Sequence, residues 1–231
     1  MFSVLVPVFN EARVLEQSIL HMLSQIRQLN VPFEVLICEN GSRDGTLGLA
    51  KALSSGNPEI RVTSLRSPDY GLALRHGILE SKHEIVAIFN VDFWSLDFLR
   101  AALHSIRDHD IVIGSKAMKN ARDQRPIARR LITRSFNGFL RVCFGFRGTD
   151  THGMKMVKRS ATIEIANSCI TDGWIFDTEL ILRAERKCLD IMEIPVDVVE
   201  LRQPSYFSLA KRVPKTIWNL LRLYFALRTL R

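Results

Sequence analysis

Long apolar runs are missing from these 231 residues. No stretch approaches the ~18 consecutive apolar residues of a membrane-crossing helix, so no span is expected. The opening, Met1 into Phe2-Ser3-Val4-Leu5-Val6, has no basic start, no separate apolar stretch and no small-residue cleavage site. A secretory leader is therefore not expected. Cysteine is sparse: Cys38, Cys143, Cys169 and Cys188 are scattered, with no C-x-x-C spacing. That excludes a dense disulfide framework and points to reduced, mostly buried thiols in a cytosolic protein. Two phosphate-cradling motifs are absent as well. There is no G-x-x-x-x-G-K-[ST], and no G-x-G-x-x-G follows a strand, so the P-loop and dinucleotide readings fail. Internal repeats and low-complexity linkers are also lacking. Finally, acid is missing from one place: residues 202–231 hold seven Lys/Arg and no Asp/Glu.

That last absence belongs to a wider asymmetry. The formal net charge is +8. Residues 116–160 carry twelve basic and two acidic side chains, a net +10, and residues 202–231 carry +7, which leaves −9 on the remainder. Two basic segments on an acidic body imply an anionic partner at particular surfaces: phosphates, an anionic membrane face or nucleic acid. The apolar and charged fractions are ordinary for a globular protein. The length suits one α/β domain, expected over 1–201, with a basic amphipathic C-terminal extension over 202–231.

In the first half, strand and helix signals alternate. Phe2–Phe9, Phe33–Cys38, Ile60–Leu65, Glu84–Phe89 and Asp110–Gly114 read as strands. Between Glu11 and Leu29, apolar residues fall at Leu15, Ile19, Met22, Ile26 and Leu29, one helix face. Gly71–Ser81 and Leu96–Arg107 read as further helices. This alternation predicts a mostly parallel, doubly wound sheet. Beyond residue 115 the pattern loosens. Arg125–Phe146 is helical in pattern, with basic residues interleaved among Leu131, Ile132, Phe136, Phe139, Leu140 and Phe144. Trp174–Lys187 reads as a helix and Ile191–Val199 as an extended segment interrupted by Pro195. Val213–Arg231 carries Ile217, Leu220, Leu221, Tyr224, Phe225 and Leu227 among basic residues. It reads either as an interfacial helix on anionic lipid or as a core-packed helix with a solvated basic side.

In a parallel sheet three polar strand ends converge, and ligands bind outside the carboxyl ends of such strands. The first end offers Pro7, Asn10 and Glu11. The second offers Glu39, Asn40, Ser42 and Asp44. The fourth offers Asn90-Val91-Asp92. Carboxylates and amides suit the base and ribose of a nucleoside. A carboxylate beside phosphates suits a hard cation, Mg²⁺ or Mn²⁺. Singly, Glu11, Glu39 and Asp44 are also what turns and N-caps use. Ser95 is better placed than Asp92 to cap the helix from Leu96. His152 reads first as an ordinary hydrogen-bonded histidine. Asp177 and Glu179 read either as a base or as partners of Arg183 and Arg186 on their own helix.

Val6-Pro7-Val8-Phe9-Asn10-Glu11, Glu39 through Thr46 and Asn90-Val91-Asp92, in that order, resemble the family 2 glycosyltransferases of GT-A fold. Gly71, Ala73 and Gly77 resemble that family's glycine-alanine motif, and Ile113-Gly114-Ser115-Lys116 its Val-Gly-Ser-Arg. Arg129–Asn137, Asp150–Lys155 and Phe176–Glu179 through Ile194-Pro195-Val196 resemble the dolichyl- and polyprenyl-phosphate branch. The resemblance implies a Rossmann-like, mostly parallel twisted sheet with helices on both faces, plus a C-terminal amphipathic helix. It implies a nucleotide-diphosphate sugar donor and inverting, metal-assisted transfer to a lipid-phosphate acceptor. The place implied is the cytoplasmic face of a membrane, bound peripherally. Pro7, Asn10, Glu11, Glu39, Asn40, Ser42 and Asp44 would meet the nucleoside. Asp92 and Asn90 would hold Mg²⁺ or Mn²⁺. Lys116, Arg129, Thr133 and Arg134 would meet phosphate, with Asp92, Lys116 and Arg134 serving the chemistry. The chain departs from the family at Glu39-Asn40, where Asp-Asp is usual, at Ser67 and Asp69 for Asn and Gly, at Asn90 for the first metal Asp, and at Trp94. Two other readings stay open: transfer to a saccharide or protein hydroxyl, and a nucleotide-sugar-binding module without turnover. Nucleic-acid binding is disfavoured by the acidic strand ends.

Overall fold

A computed structural model describes residues 1–198 and 206–229. The expected boundary between 201 and 202, and Arg231 at the end of the expected terminal helix, lie outside the described residues.

Seven strands form one sheet: β1 (Phe2–Val8), β2 (Phe33–Asn40), β3 (Ile60–Leu65), β4 (Ile85–Ile88), β5 (Ile111–Ser115), β6 (Lys155–Lys158) and β7 (Ile191–Pro195). Their order is β3-β2-β1-β4-β6-β5-β7. All pairings are parallel except those of β6, which runs antiparallel to both β4 and β5. Every residue of β1 is buried. A strand covered by helices on both faces is largely apolar on both, and β1 is apolar except at Ser3, whose buried hydroxyl donates to Glu34 Oε1 at 2.6 Å.

Helices α1 (Leu15–Arg27), α2 (Thr46–Gly56) and α4 (Leu96–Ser105) share one core with one face of the sheet. Leu15, Ile19, Met22 and Ile26 are fully buried there, as their spacing predicts. The other face is covered by α3 (Tyr70–Glu80), α5 (Ile127–Phe144), α6 (Arg159–Ser168), α7 (Ile175–Arg186) and α8 (Tyr206–Thr229). Gly77 of α3 lies so close to β1 that a Cβ there would meet Leu5 Cδ1 at 1.7 Å. Only a residue without a side chain lets the helix approach this strand.

Several expectations shift. β6 and α6 had no counterpart in the sequence reading. Pro195 ends β7 rather than interrupting it. Ser95 does cap α4, its Oγ accepting from Phe98 N–H at 3.2 Å. The thiols divide evenly: Cys38 and Cys169 are buried, whereas Cys143 and Cys188 are exposed, correcting the expectation of mostly buried cysteines. No described helix is long and apolar enough to cross a membrane.

Candidate active site

The strand order reverses beside β1, whose neighbours are β2 on one side and β4 on the other. Such a switch point opens a crevice at the carboxyl ends of the strands. A cleft of about 160 Å³ lies there. Its walls are Pro7, Val8, Phe9 and Glu11 after β1, Asn40 at the end of β2, Tyr70 of α3, and Asn90-Val91-Asp92 after β4. The cleft thus joins the three strand ends that the sequence marked out.

Behind the cleft, the other residues of these motifs hold the loops together. Asn10 adopts a left-handed backbone, φ +54°. Its N–H donates to Ser42 Oγ at 2.9 Å, and its Oδ1 accepts from Arg43 N–H at 2.9 Å. Asp44 accepts from Ala12 N–H and from the N–H and hydroxyl of Thr46, tying the β1 loop to the start of α2. Glu39 is buried and accepts from Ser42 N–H at 2.5 Å and Ser64 Oγ at 2.6 Å. Burial would raise its carboxyl, but the Ser64 and Ser42 bonds outweigh that and hold it below the usual range. Neither Glu39, Ser42 nor Asp44 lines the cleft. Gly41 sits at φ +70°, where an added Cβ would meet the Ser67 backbone at 3.0 Å. The departure at Asp69 has a local role. Its N–H donates to Asn40 Oδ1 at 2.7 Å, while its carboxylate caps α3 at Leu72 N–H and accepts from Gly173 N–H, both at 3.0 Å.

A narrower crevice adjoins the cleft, sharing Tyr70 and Asn90 and adding Phe93, His152, Gly153 and Lys155. Lys155 is almost wholly buried, with Nζ 2.9 Å from Asp177 Oδ1. Tyr70 hydroxyl donates to Asp177 Oδ2 at 3.3 Å, and burial together with this carboxylate pushes the phenol well above its ordinary value. Glu179 accepts from Ile170 N–H, Thr171 N–H and Thr171 Oγ1, and pairs with Arg183 at 2.7 Å. Of the two readings for this helix, ion pairing holds for Glu179 with Arg183, and Asp177 pairs across to β6.

His152 has both ring nitrogens engaged. Nε2 lies 3.0 Å from Trp174 O, which can only accept, so this nitrogen carries the proton. Nδ1 then accepts from Thr151 Oγ1 at 2.9 Å. The ring also packs on Trp174 and Phe136, with centroids 4.9 and 5.7 Å away. Desolvation lowers its pKa to about 4. This imidazole is neutral and positioned by its neighbours.

Lys116 was expected to meet phosphate. It is instead closed by Asp150 at 2.5 Å, with both side chains largely buried. Burial alone would raise Asp150, but Lys116 holds the carboxyl below its usual range. Arg129, Thr133 and Arg134 lie on α5 and do not line either crevice. Phe136 of the same helix packs on His152, so α5 flanks the narrower crevice. Thr133 Oγ1 donates to Arg129 O at 3.0 Å, and Arg134 is exposed.

The side chains after β4 that could hold a cation are Asp92, exposed at the cleft, and the Asn90 amide, with Glu11 on the same cleft wall. Asn90 and Phe93 bond backbone to backbone, so the segment turns tightly and carries both side chains to one cleft. Among the described residues no three His, Cys, Asp or Glu side chains cluster as a closed metal cage. One carboxylate and one amide fit Mg²⁺, which keeps waters and shares its shell with substrate phosphates.

A twisted α/β sheet with a polar cleft at its switch point and an antiparallel strand inserted beside it is the GT-A architecture. The family model for glycosyl transferase family 2 matches residues 3–166. The chain belongs to that family. It is 30% identical over 219 residues to dolichyl-phosphate beta-glucosyltransferase of Drosophila melanogaster, covering 86% of this chain and 67% of that protein. The human protein of the same name is 30% identical over 220 residues, with the same two coverages. Glycosyltransferase AglD of Haloferax volcanii is 27% identical over 205 residues, 84% of this chain. The chain spans about a third of AglD's length and about two thirds of the other two. Among solved structures, glucosyl-3-phosphoglycerate synthase of Mycobacterium tuberculosis, in complex with Mn²⁺, UDP and phosphoglyceric acid, superposes with TM-score 0.71. That match covers 97% of this chain and 78% of that one at 20% identity, a likeness of fold.

Proposed function

We propose that this chain transfers a hexose from a nucleoside diphosphate to a polyprenyl phosphate at the cytoplasmic face of a membrane. The observation that carries the reading is the shared cleft of Glu11, Asn40, Asn90 and Asp92 at the switch point. Glu39, Asn10, Ser42 and Asp44 shape its nucleoside end from behind. A cation held by Asp92 and Asn90 would supply positive charge against the departing diphosphate. UDP is the first nucleotide to test, because the structural relative holds it, and glucose the first sugar, because two sequence relatives are named for it.

The acceptor follows from what the potential bases are doing. Glu179 is spent on a loop and on Arg183, His152 is neutral with both nitrogens engaged, and Asp177 faces Lys155. A phosphate nucleophile is already ionised near neutral pH and needs no base. A hydroxyl acceptor would need one. Membrane placement rests on α5 and α8. Phe144 and Tyr224 join them edge to face at 5.9 Å. Leu220, Leu223 and Leu227 of α8 are buried, yet Val213, Ile217, Leu221 and Phe225, each four residues apart, are exposed on another face beside Trp218. One face packs, as in the core-packed reading of this helix, and the second apolar stripe is what supports the interfacial reading. Arg222 and Arg228 accompany it and suit anionic headgroups.

The test is transfer of labelled glucose from UDP-glucose to dolichyl phosphate in vesicles with Mg²⁺ or Mn²⁺. Asp92→Ala should lose about a hundredfold or more. Near-wild-type turnover of that variant would sink the role of Asp92. Metal-dependent UDP binding without transfer to any acceptor would establish a binding module.

A further inference from the structure

Three consecutive residues before α7 each grip a different part of the molecule. Asp172 is held by α8: its Oδ1 accepts from Asn219 Nδ2 at 2.6 Å and its Oδ2 pairs with Lys215 Nζ at 2.8 Å. Gly173 N–H donates to Asp69 Oδ1, and Asp69 in turn donates its own N–H to Asn40 in the large cleft. Trp174 accepts from His152 through its carbonyl and packs on that ring and on Phe136 of α5. The start of α3 also presses on this loop, since a Cβ at Gly71 would meet Gly173 O at 3.0 Å. Asn219 is buried although it is polar, and its amide has Asp172 as hydrogen-bond partner through both the carboxylate and the main-chain carbonyl. The same helix turn that bears the exposed Ile217 and Leu221 therefore bears the clamp on the loop.

We infer that Asp172 and Asn219 are positioning residues that couple seating of α8 on a membrane to nucleotide binding in the cleft. This rests on the membrane reading above. A helix held on a bilayer through its outer stripe keeps Lys215 and Asn219 fixed. The loop is then held, and Asp69 and Asn40 with it. Coupling between two binding events is reciprocal, so nucleotide must strengthen membrane binding by the factor by which membrane strengthens nucleotide binding.

The experiment measures UDP affinity by calorimetry with Mg²⁺, with and without phosphatidylcholine–phosphatidylglycerol vesicles, and vesicle sedimentation with and without UDP. It uses the full chain and the variants Asp172→Asn and Asn219→Ala. Wild type should bind UDP about fivefold tighter or more on vesicles, the lower end of typical couplings, and UDP should raise sedimentation by the same factor. Both variants should sediment as wild type does without UDP, bind UDP in solution, and lose the vesicle-dependent gain. Retention of the full gain in both variants, or a wild type that sediments with no gain, overturns the coupling and leaves the membrane reading standing. A wild type that does not sediment overturns both.

Discussion

Acid should weaken this protein through one buried histidine, His152. His152 is held neutral, with a pKa of about 4, by burial and by its bonds to Trp174 and Thr151. In the unfolded chain an ordinary histidine titrates near 6.5. Between those values the unfolded state binds the extra proton, so stability is full above the unfolded value and falls as pH drops toward 4. From pH 7 to pH 5 the loss from this one group is about 2 kcal/mol. With a urea slope of about 2–3 kcal/mol/M, that moves the midpoint down by about 0.7–1 M. The assay is urea unfolding followed by tryptophan fluorescence at pH 7, 6 and 5, on wild type and His152→Gln. Glutamine can still donate and accept but does not titrate in this window. Its midpoint should move less with pH by that amount. A variant whose midpoint follows pH as steeply as wild type would refute the reasoning and reopen His152 as a titrating, chemically active group.

Gly77→Ala drives a methyl into Leu5 and should cost about 1–3 kcal/mol, read as a lower thermal midpoint. A change under ~0.5 kcal/mol would mean that α3 can lift off β1. Lys116→Met strands a buried Asp150 carboxylate and should cost about 3–5 kcal/mol, part of which Lys116→Met/Asp150→Asn should recover in the same urea assay. Equal instability of the single and double variants would argue against the ion pair. Leu221→Ser with Phe225→Ser should weaken sedimentation with anionic vesicles while leaving the thermal midpoint within about a degree, since both side chains are exposed. A large fall in midpoint would make that stripe part of the core.

The sheet's first five strands were legible because each is a short apolar run beside a turn, and α1 because its apolar residues recur at helical spacing. The cleft was legible because Asn40, Asn90, Asp92 and Glu11 stand where those strands end. β6 was not, because Lys155-Met156-Val157-Lys158 has charge at both ends and no alternation. Lys155 faces the buried Asp177, a partner 22 residues away that no local pattern can announce. Lys116 misled for the same reason: a basic residue at a strand end looks available until Asp150, 34 residues on, is seen beside it. Tyr70, which lines both crevices, carried no signal beyond its place between two motif residues.

The place of β6 also has a consequence for how the chain reaches this state. β4 pairs with β1 on one edge, and its other edge is completed only by β6, more than sixty residues further along. A ribosome adding about 5–20 residues per second needs several seconds to deliver that partner. Until then Ile85-Val86-Ala87-Ile88 presents an open apolar edge that any other extended chain could join. The nascent first half is thus a half-built sheet, and truncation anywhere before Lys158 should yield aggregates rather than a smaller folded unit.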